Sequence, residues 1–112
     1  MSVSGAFTPS GNTVMITAAV SAPNAVQITS TTLGGGQYRV VNNGAVTAFI
    51  GIGANATIAA TNSNAPTTGV DTLAIPALAG TIEILSFQPN AWITASTLNS
   101  TATIYITPGD GL

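Results

Sequence analysis

Few residues of this chain could carry out chemistry. The 112 residues include three acidic residues, one basic residue and no histidine or cysteine. Serine hydrolysis needs a base such as histidine or lysine beside the nucleophile, so its usual arrangement cannot be assembled here. Asp71 and Glu83 could in principle form the carboxylate pair of a glycosidase. An acidic residue at the start of a strand more often serves a turn or an ion pair, and we therefore expect no enzyme.

Metal, cofactor and phosphate sites are equally unsupported. Zinc favours His or Cys, and calcium needs clustered oxygens, whereas Asp71, Glu83 and Asp110 are 12 and 27 residues apart. The segment LGGGQ (33–37) lacks the Gly-Lys-Ser/Thr of a phosphate loop. With a net charge of −2 and Arg39 as its only basic residue, the chain cannot neutralise a run of phosphates. We expect no metal, no cofactor, no nucleic acid and no anionic membrane as partners.

Two further exclusions concern targeting. The N-terminal segment 1–13 has neither a basic region nor an apolar core, so it does not resemble a secretory signal. Residues 45–60 are uncharged, but they are too short and too rich in Gly, Thr and Asn for a membrane span, which needs about 20 mainly apolar residues.

Alternation with a period of two recurs along the chain and indicates strands. The candidate strands are 13–20, 25–30, 37–42, 45–52, 70–75, 81–88, 91–96 and 101–107. Gly, Pro and Asn separate them, and no convincing helical stripe is present. The pattern predicts an all-β fold, an antiparallel β-sandwich or jelly roll of about eight strands with almost no helix. We expect an extended N-terminal arm (1–12) and one domain (13–112), with a projecting loop over 53–69 that includes a short strand around 57–59.

The segment 37–53 places the only cation, Arg39, just ahead of an Asn-Asn-Gly turn. If Asn43 and Gly44 occupy a type I′ turn, Arg39 lies opposite Ala48 in a hairpin that is apolar on both faces. Arg39 would then be partly withdrawn from water and would need a carboxylate or several carbonyls. Glu83, which also lies mid-strand among apolar neighbours, is the best candidate, within one chain or across two. Alternatively, Arg39 is exposed and reaches an acidic residue of another protein.

Apolar groups on both faces of a sheet suggest a second burial partner, such as another copy of the chain. The absence of lysine also leaves the sheet edges without their usual charged protection. The alternative is that a few apolar groups simply lie on the surface, which is normal. The assembly interpretation predicts a dimer or trimer, and Tyr38, Phe49, Asp110 and Leu112 are candidate interface residues. The strand before Pro108 should end near Thr107, because proline cannot donate to a ladder. The last five residues should form a docked turn in which Asp110 accepts backbone hydrogen bonds, or else a contact to a neighbouring chain.

From residue 37 onward, the chain resembles small structural proteins of tailed bacteriophages. The resemblance rests on the order of an R-V-x-N-x-G segment before a Phe-containing strand, a P-x-x-x-G-x-x-E segment, and a Thr-Ala-Thr, aromatic, Pro-Gly-acid-Gly-Leu ending. The matching positions are Arg39, Val40, Asn42, Gly44, Phe49, Pro76, Gly80, Glu83, Thr101, Ala102, Thr103, Tyr105, Pro108, Gly109, Asp110, Gly111 and Leu112. The segment TNSNAPTTG (61–69) departs from the pattern as a long insertion.

The resemblance implies a β-sandwich or jelly-roll virion protein, and in particular a capsid decoration (cement) protein bound in many copies to the outside of the head. Its partners would be the major capsid protein and further copies of itself, and it would be made in the bacterial host cytoplasm and reside in the virion. The alternative is a carbohydrate-binding or host-attachment module of a tail or fibre. Such a site would use an exposed aromatic residue, Trp92 or Tyr38. The alternation of residues 91–96 favours a Trp92 that is buried in the sandwich core, which would argue against this alternative.

Overall fold

The computed structural model describes residues 7–30 and 36–111, and these residues form an antiparallel β-sandwich. This confirms the predicted all-β fold. The described residues contain nine strands and one short helix. The elements are β1 (Phe7–Pro9), β2 (Val14–Ala18), β3 (Val26–Gln27), β4 (Gln37–Asn42), β5 (Ala48–Gly53), α1 (Ala56–Asn62), β6 (Ile75–Ala77), β7 (Ile82–Ser86), β8 (Trp92–Thr97) and β9 (Ala102–Gly111).

The five-stranded sheet is organised around β9. One side of β9 pairs with β2 and then with β1, and the other side pairs with β4, which in turn pairs with β7. The four-stranded sheet has the order β3-β8-β5-β6. Each sheet therefore ends in edge strands, and β7 is the edge beside β4.

The core lies between the two sheets. Alternate residues of β4, β8 and β9 point inward, as the period of two predicts. The buried apolar residues form one cluster, consisting of Ile16, Ala18, Ile28, Tyr38, Val40, Ala48, Ile50, Ala77, Ala91, Ile93, Ala95, Ala102, Ile104 and Ile106. Most of these side chains are alanine or isoleucine, and Tyr38 is the one aromatic residue in the cluster.

The Asn-Asn-Gly segment does not form a hairpin. The chain leaves the five-stranded sheet at Asn42 and enters the four-stranded sheet at Ala48, so β4 and β5 are not paired. A type I′ turn needs positive φ at both central residues, and neither Asn43 nor Gly44 has it. Instead the Asn42 side chain accepts a hydrogen bond from Gly44 N (2.9 Å), an Asx-type turn that directs the chain to the other sheet. The predicted hairpin is therefore wrong.

Residues 56–62 form a helix where a loop with a short strand was predicted. Asn55 caps it by accepting a hydrogen bond from Ile58 N at 2.9 Å. The helix packs on the outer side of β5 at Gly51, where an added Cβ would meet the backbone of Ala59 and Ser63. Only glycine permits this approach. The helix therefore depends on a contact with β5 that is distant in sequence, and a local sequence pattern does not reveal it.

Two strand boundaries also differ from the prediction. The segment 70–75 is mostly outside the sheets, with only Ile75 entering β6. β9 continues past Thr107 to Gly111, so no docked turn forms. Pro108 is tolerated because it lies where β9 passes from β2 to β1, and its carbonyl accepts a hydrogen bond from Ser10 N (2.9 Å) while its missing N–H is not needed.

Candidate functional site

Arg39 and Glu83 lie on opposite faces of the five-stranded sheet. Arg39 is opposite Ile84 on β7, and Glu83 is opposite Val40, whose side chain is buried in the core. Opposed residues share a face, so the Arg39 and Glu83 side chains point away from each other. Both residues are exposed. The predicted ion pair within one chain is therefore wrong. The hairpin hypothesis gave no register between β4 and β7, and the observed register places the two residues on opposite faces. An Arg39–Glu83 pair between two chains stays a prediction.

The acidic residues are spread over the molecule. Asp71 lies in the segment that leads to β6, Glu83 is on β7 of the other sheet, and Asp110 is near the end of β9. Within residues 7–30 and 36–111, no three acidic side chains gather into a possible metal site. Asp71 and Glu83 are thus not neighbours on one sheet.

Tyr38 was predicted as an interface residue, and the structure contradicts this. Its side chain is buried, because residue 38 points inward from β4. The hydroxyl donates a hydrogen bond to Gln88 O (2.6 Å) and accepts one from Ala91 N (2.9 Å). Burial raises the pKa of the Tyr38 hydroxyl, and the hydrogen bond from Ala91 offsets part of that rise. Tyr38 links the end of β7 to the start of β8, which is a structural role.

The other interface candidates are placed differently. Phe49 lies half-buried on β5, opposite Pro76 and Ser96, on the outer side of the four-stranded sheet. Asp110 is exposed on β9, opposite Thr8. Leu112 lies outside the described residues. Contacts of Phe49 and Asp110 with another chain stay predictions.

The Asn42 side chain makes three hydrogen bonds, and the sequence alone assigned no structural role to it. It is fully buried, and its Nδ2 donates hydrogen bonds to Val46 O (3.0 Å) and Ala77 O (2.8 Å). Its Oδ1 accepts from Gly44 N. Asn42 therefore joins β4 of one sheet to β6 of the other. Its position before Asn43-Gly44 was a signal for a turn, but nothing in the sequence indicated the acceptor at Ala77.

The outer face of the five-stranded sheet carries a row of apolar side chains. Met15, Tyr105, Val41 and Ile82 lie directly opposite one another on β2, β9, β4 and β7. We call these four residues the apolar row. Met15 is 60% exposed and Ile82 is 53% exposed. Next to the row, Arg39 lies between Thr107 and Ile84. The sheet thus presents apolar groups on both faces, as the sequence predicted, and the row crosses it from edge to edge.

The outer side of the four-stranded sheet offers a smaller feature. Trp92 is half-buried at the start of β8, opposite Gln27 and Gly53, and it does not belong to the core cluster. The Gln27 side chain donates a hydrogen bond to Asn90 O (3.1 Å). The interpretation of Trp92 as a core residue is therefore wrong.

An open groove of about 410 Å³ lies between α1 and the segment that precedes β3. Its lining consists of small or uncharged residues, namely Ala22, Pro23, Asn24, Ala25, Ala56, Thr57, Ala60 and Thr61. None of these described lining residues is ionisable, so they supply no acid, base or charged anchor for a ligand.

Comparison of the chain with protein-family models, with curated proteins and with solved structures found no match. Within the described residues, no helix has the length and apolar character needed to cross a membrane.

Proposed function

We propose that the chain is a non-enzymatic virion structural protein, a capsid decoration protein that binds the outer surface of a bacteriophage head in many copies. The observation that carries the proposal is the apolar row on the outer face of the five-stranded sheet. Large exposed apolar areas on a soluble protein commonly mark interaction sites. The row spans four strands, and uncharged threonine residues flank it on β2 and β9, which suits docking to another protein surface.

The charge of the chain supports the same proposal. Charged residues make up 4% of the sequence, against roughly 25% in average soluble domains. Identical copies that lie side by side on a particle would repel one another if each carried a large net charge. A nearly neutral surface avoids that cost, and simultaneous attachment through several subunits multiplies weak contacts into a stable association.

The resemblance to small phage structural proteins is the third support. Of its motif residues, Asn42 and Gly44 form the turn between the two sheets, and Pro108 and Gly109 lie in β9. These positions have structural roles in this chain, which fits a protein whose work is to hold a shape. On this proposal the partners are the major capsid protein and further copies of the chain, and the location is the virion.

A charge placed in the apolar row tests the proposal. Met15→Glu adds a carboxylate at a position of the row whose side chain is 60% exposed. Leu73→Glu is the matched control, because Leu73 is 74% exposed but lies outside both sheets. Purified variants are mixed with heads that lack this protein and are then sedimented. We expect the wild-type protein and Leu73→Glu to sediment with the heads and Met15→Glu to remain in solution. Failure of the wild-type protein to bind, or equal binding of both variants, would overturn the proposal.

One observation favours a second candidate, a carbohydrate-binding or host-attachment module. Trp92 is partly exposed beside Gln27, and an aromatic face with polar neighbours is a common element of sugar sites. Tyr38, the other aromatic residue considered, is buried and cannot serve. Glycan-array binding by the isolated protein that disappears in Trp92→Ala would favour this candidate, and absence of binding would remove it.

A further inference from the structure

β7 is an open edge strand with little protection against pairing. Among residues 7–30 and 36–111, β7 pairs with β4 alone, and its sequence is Ile-Glu-Ile-Leu-Ser. Natural edge strands are commonly shielded by lysine, proline, a bulge or very short length. β6 contains Pro76 and has three residues, β1 contains Pro9 and has three residues, and β3 has two residues. β7 and β2 both have five residues and no proline, with one charged side chain on β7, Glu83, and none on β2. β7 differs in that two of its isoleucines, Ile82 and Ile84, are exposed.

The hydrogen bonds at the two ends of β7 show which of its backbone groups point toward β4 and which point away from it. Phe87 N donates to Gly36 O (2.7 Å), and Thr81 O accepts from Asn42 N (3.0 Å). Backbone groups in an antiparallel ladder alternate in direction, so Glu83 and Leu85 also turn toward β4. The N–H and C=O groups of the alternate residues, Ile82, Ile84 and Ser86, therefore point out of the sheet at its open edge.

We propose that two copies of the chain associate through their β7 strands, paired antiparallel about a twofold axis at Ile84, to form one continuous sheet. In this register Ile84 pairs with Ile84 of the second copy, and Ile82 pairs with Ser86 in both directions. Each of these three residue pairs exchanges two backbone hydrogen bonds, and only the outward-pointing groups are used. The association uses the recognition mode in which an extended strand adds to an exposed sheet edge.

Side chains and charge select the same register. Ile84 and Ile82 are 46% and 53% exposed, and pairing would cover part of both. Glu83 would lie opposite Leu85 of the second copy. An axis at Glu83 would use the same outward backbone groups, but it would place the two Glu83 carboxylates opposite each other, and like charges in that position are destabilising. Arg39 lies opposite Ile84, so the two guanidinium-bearing positions would be three strand spacings apart, about 14 Å. That separation exceeds the screening length of about 8 Å at physiological salt, so the two cations would repel one another little.

The proposed register also determines how the outer faces of the two copies are oriented. The twofold axis is perpendicular to the sheet, so the apolar rows of both copies face the same side. The dimer would then present two apolar rows to one surface. The inference rests on the part of the proposed function in which copies of the chain contact one another, and it does not require the capsid.

Ile84→Pro tests the proposed pairing directly. Proline removes the outward N–H of residue 84 but no hydrogen bond to β4, and proline is tolerated on edge strands where the N–H faces solvent. The matched control is Thr17→Pro on β2, the other five-residue edge strand. Asn43 N donates to Thr103 O, so the odd residues of β9 turn toward β4 and the even residues toward β2. By the same alternation, the N–H of Thr17 points away from β9.

Sedimentation of the isolated proteins over a range of concentrations measures the association. We expect the wild-type protein and Thr17→Pro to be dimeric at about 10 µM, and Ile84→Pro to dissociate with a Kd at least about tenfold higher. Urea unfolding of each variant checks that the fold is intact. If Ile84→Pro does not fold, Ile84→Lys replaces it, because a charge at this exposed position opposes pairing without removing a backbone group.

A wild-type protein that is monomeric at about 100 µM would overturn the inference, as would a folded Ile84→Pro that dimerises like the wild type. Dissociation of Thr17→Pro alone would place the contact at β2 and would also overturn it. No particle is present in this experiment, so its outcome is separate from that of the head-binding test. The protein can bind heads without β7 pairing, and it can pair through β7 without binding heads.

Discussion

Replacing Asn42 with alanine should destabilise the protein far more than the same change at its neighbour Asn43. Asn42 is fully buried and its side chain makes three hydrogen bonds, to Val46 O, Ala77 O and Gly44 N. Alanine removes all three and leaves the buried carbonyl of Ala77 without this donor. Asn43 is exposed, so Asn43→Ala is the matched control.

The magnitude follows from the number of bonds. Each buried hydrogen bond contributes about 1 kcal/mol net, so Asn42→Ala should lower the free energy of unfolding by about 3 kcal/mol. For a domain of this size, each 1 kcal/mol lowers Tm by about 4 °C, which gives a decrease of about 12 °C. Asn43→Ala should change the free energy of unfolding by less than about 0.5 kcal/mol.

Urea unfolding followed by the fluorescence of Trp92, the only tryptophan, measures both variants. We expect a lower midpoint for Asn42→Ala with an unchanged dependence on urea, because the surface exposed on unfolding is the same. Asn42→Asp separates the role of the amide oxygen from that of the amide nitrogen. The aspartate keeps an oxygen that can accept from Gly44 N, but its second oxygen would face the carbonyl oxygens of Val46 and Ala77, which repel it. A loss for Asn42→Ala no larger than that for Asn43→Ala would refute the view that Asn42 ties the two sheets together.

Three other changes have expected outcomes. Burial raises the pKa of Tyr38, so the folded state keeps a proton that the unfolded chain has lost; stability should fall as the pH rises above about 10, and Tyr38→Phe should remove that fall in thermal melts recorded between pH 8 and 11. Gly51→Ala should cost about 1–3 kcal/mol in urea unfolding, because its Cβ would meet the backbone of Ser63; an unchanged midpoint would mean that α1 can move away freely. Deletion of residues 109–112 removes the partner of β1, and we expect a lower Tm; an equal Tm would show that this pairing adds no stability.

The sequence was sufficient to predict the positions of the strands whose alternation is clear. It was not sufficient to predict the connections and the pairing between them. β2, β4 and β8 lie where the period of two placed them, because one face of each is buried against the core. The Arg39–Glu83 prediction failed because it required the register between strands that are not consecutive in the chain, and a slip of one residue moves every side chain to the other face. Apolar groups on both faces could be predicted, but the order of the apolar row across four strands could not.

Local sequence signals led to wrong predictions at two further positions. Asn43-Gly44 is a common hairpin signal, but the Asn42 amide donates to Val46 O in the connection that follows and to Ala77 O on β6 of the other sheet. Satisfaction of this buried amide selects a turn between the sheets instead. The helix over 56–62 has fewer than three turns, too few for a periodic stripe, and it forms against Gly51 by contacts that are distant in sequence. Both features depend on tertiary partners that a local window does not contain.

The most direct test of the central claim is the copy number of this chain in purified virus particles. Quantitative mass spectrometry of particles whose genome encodes the chain gives its ratio to the major capsid protein. A decoration protein attached through repeated contacts on the head should be present at a fixed ratio that corresponds to hundreds of copies per particle, on the order of the number of capsid subunits. A ratio that corresponds to only a few copies, or absence of the chain from the particles, would contradict the account.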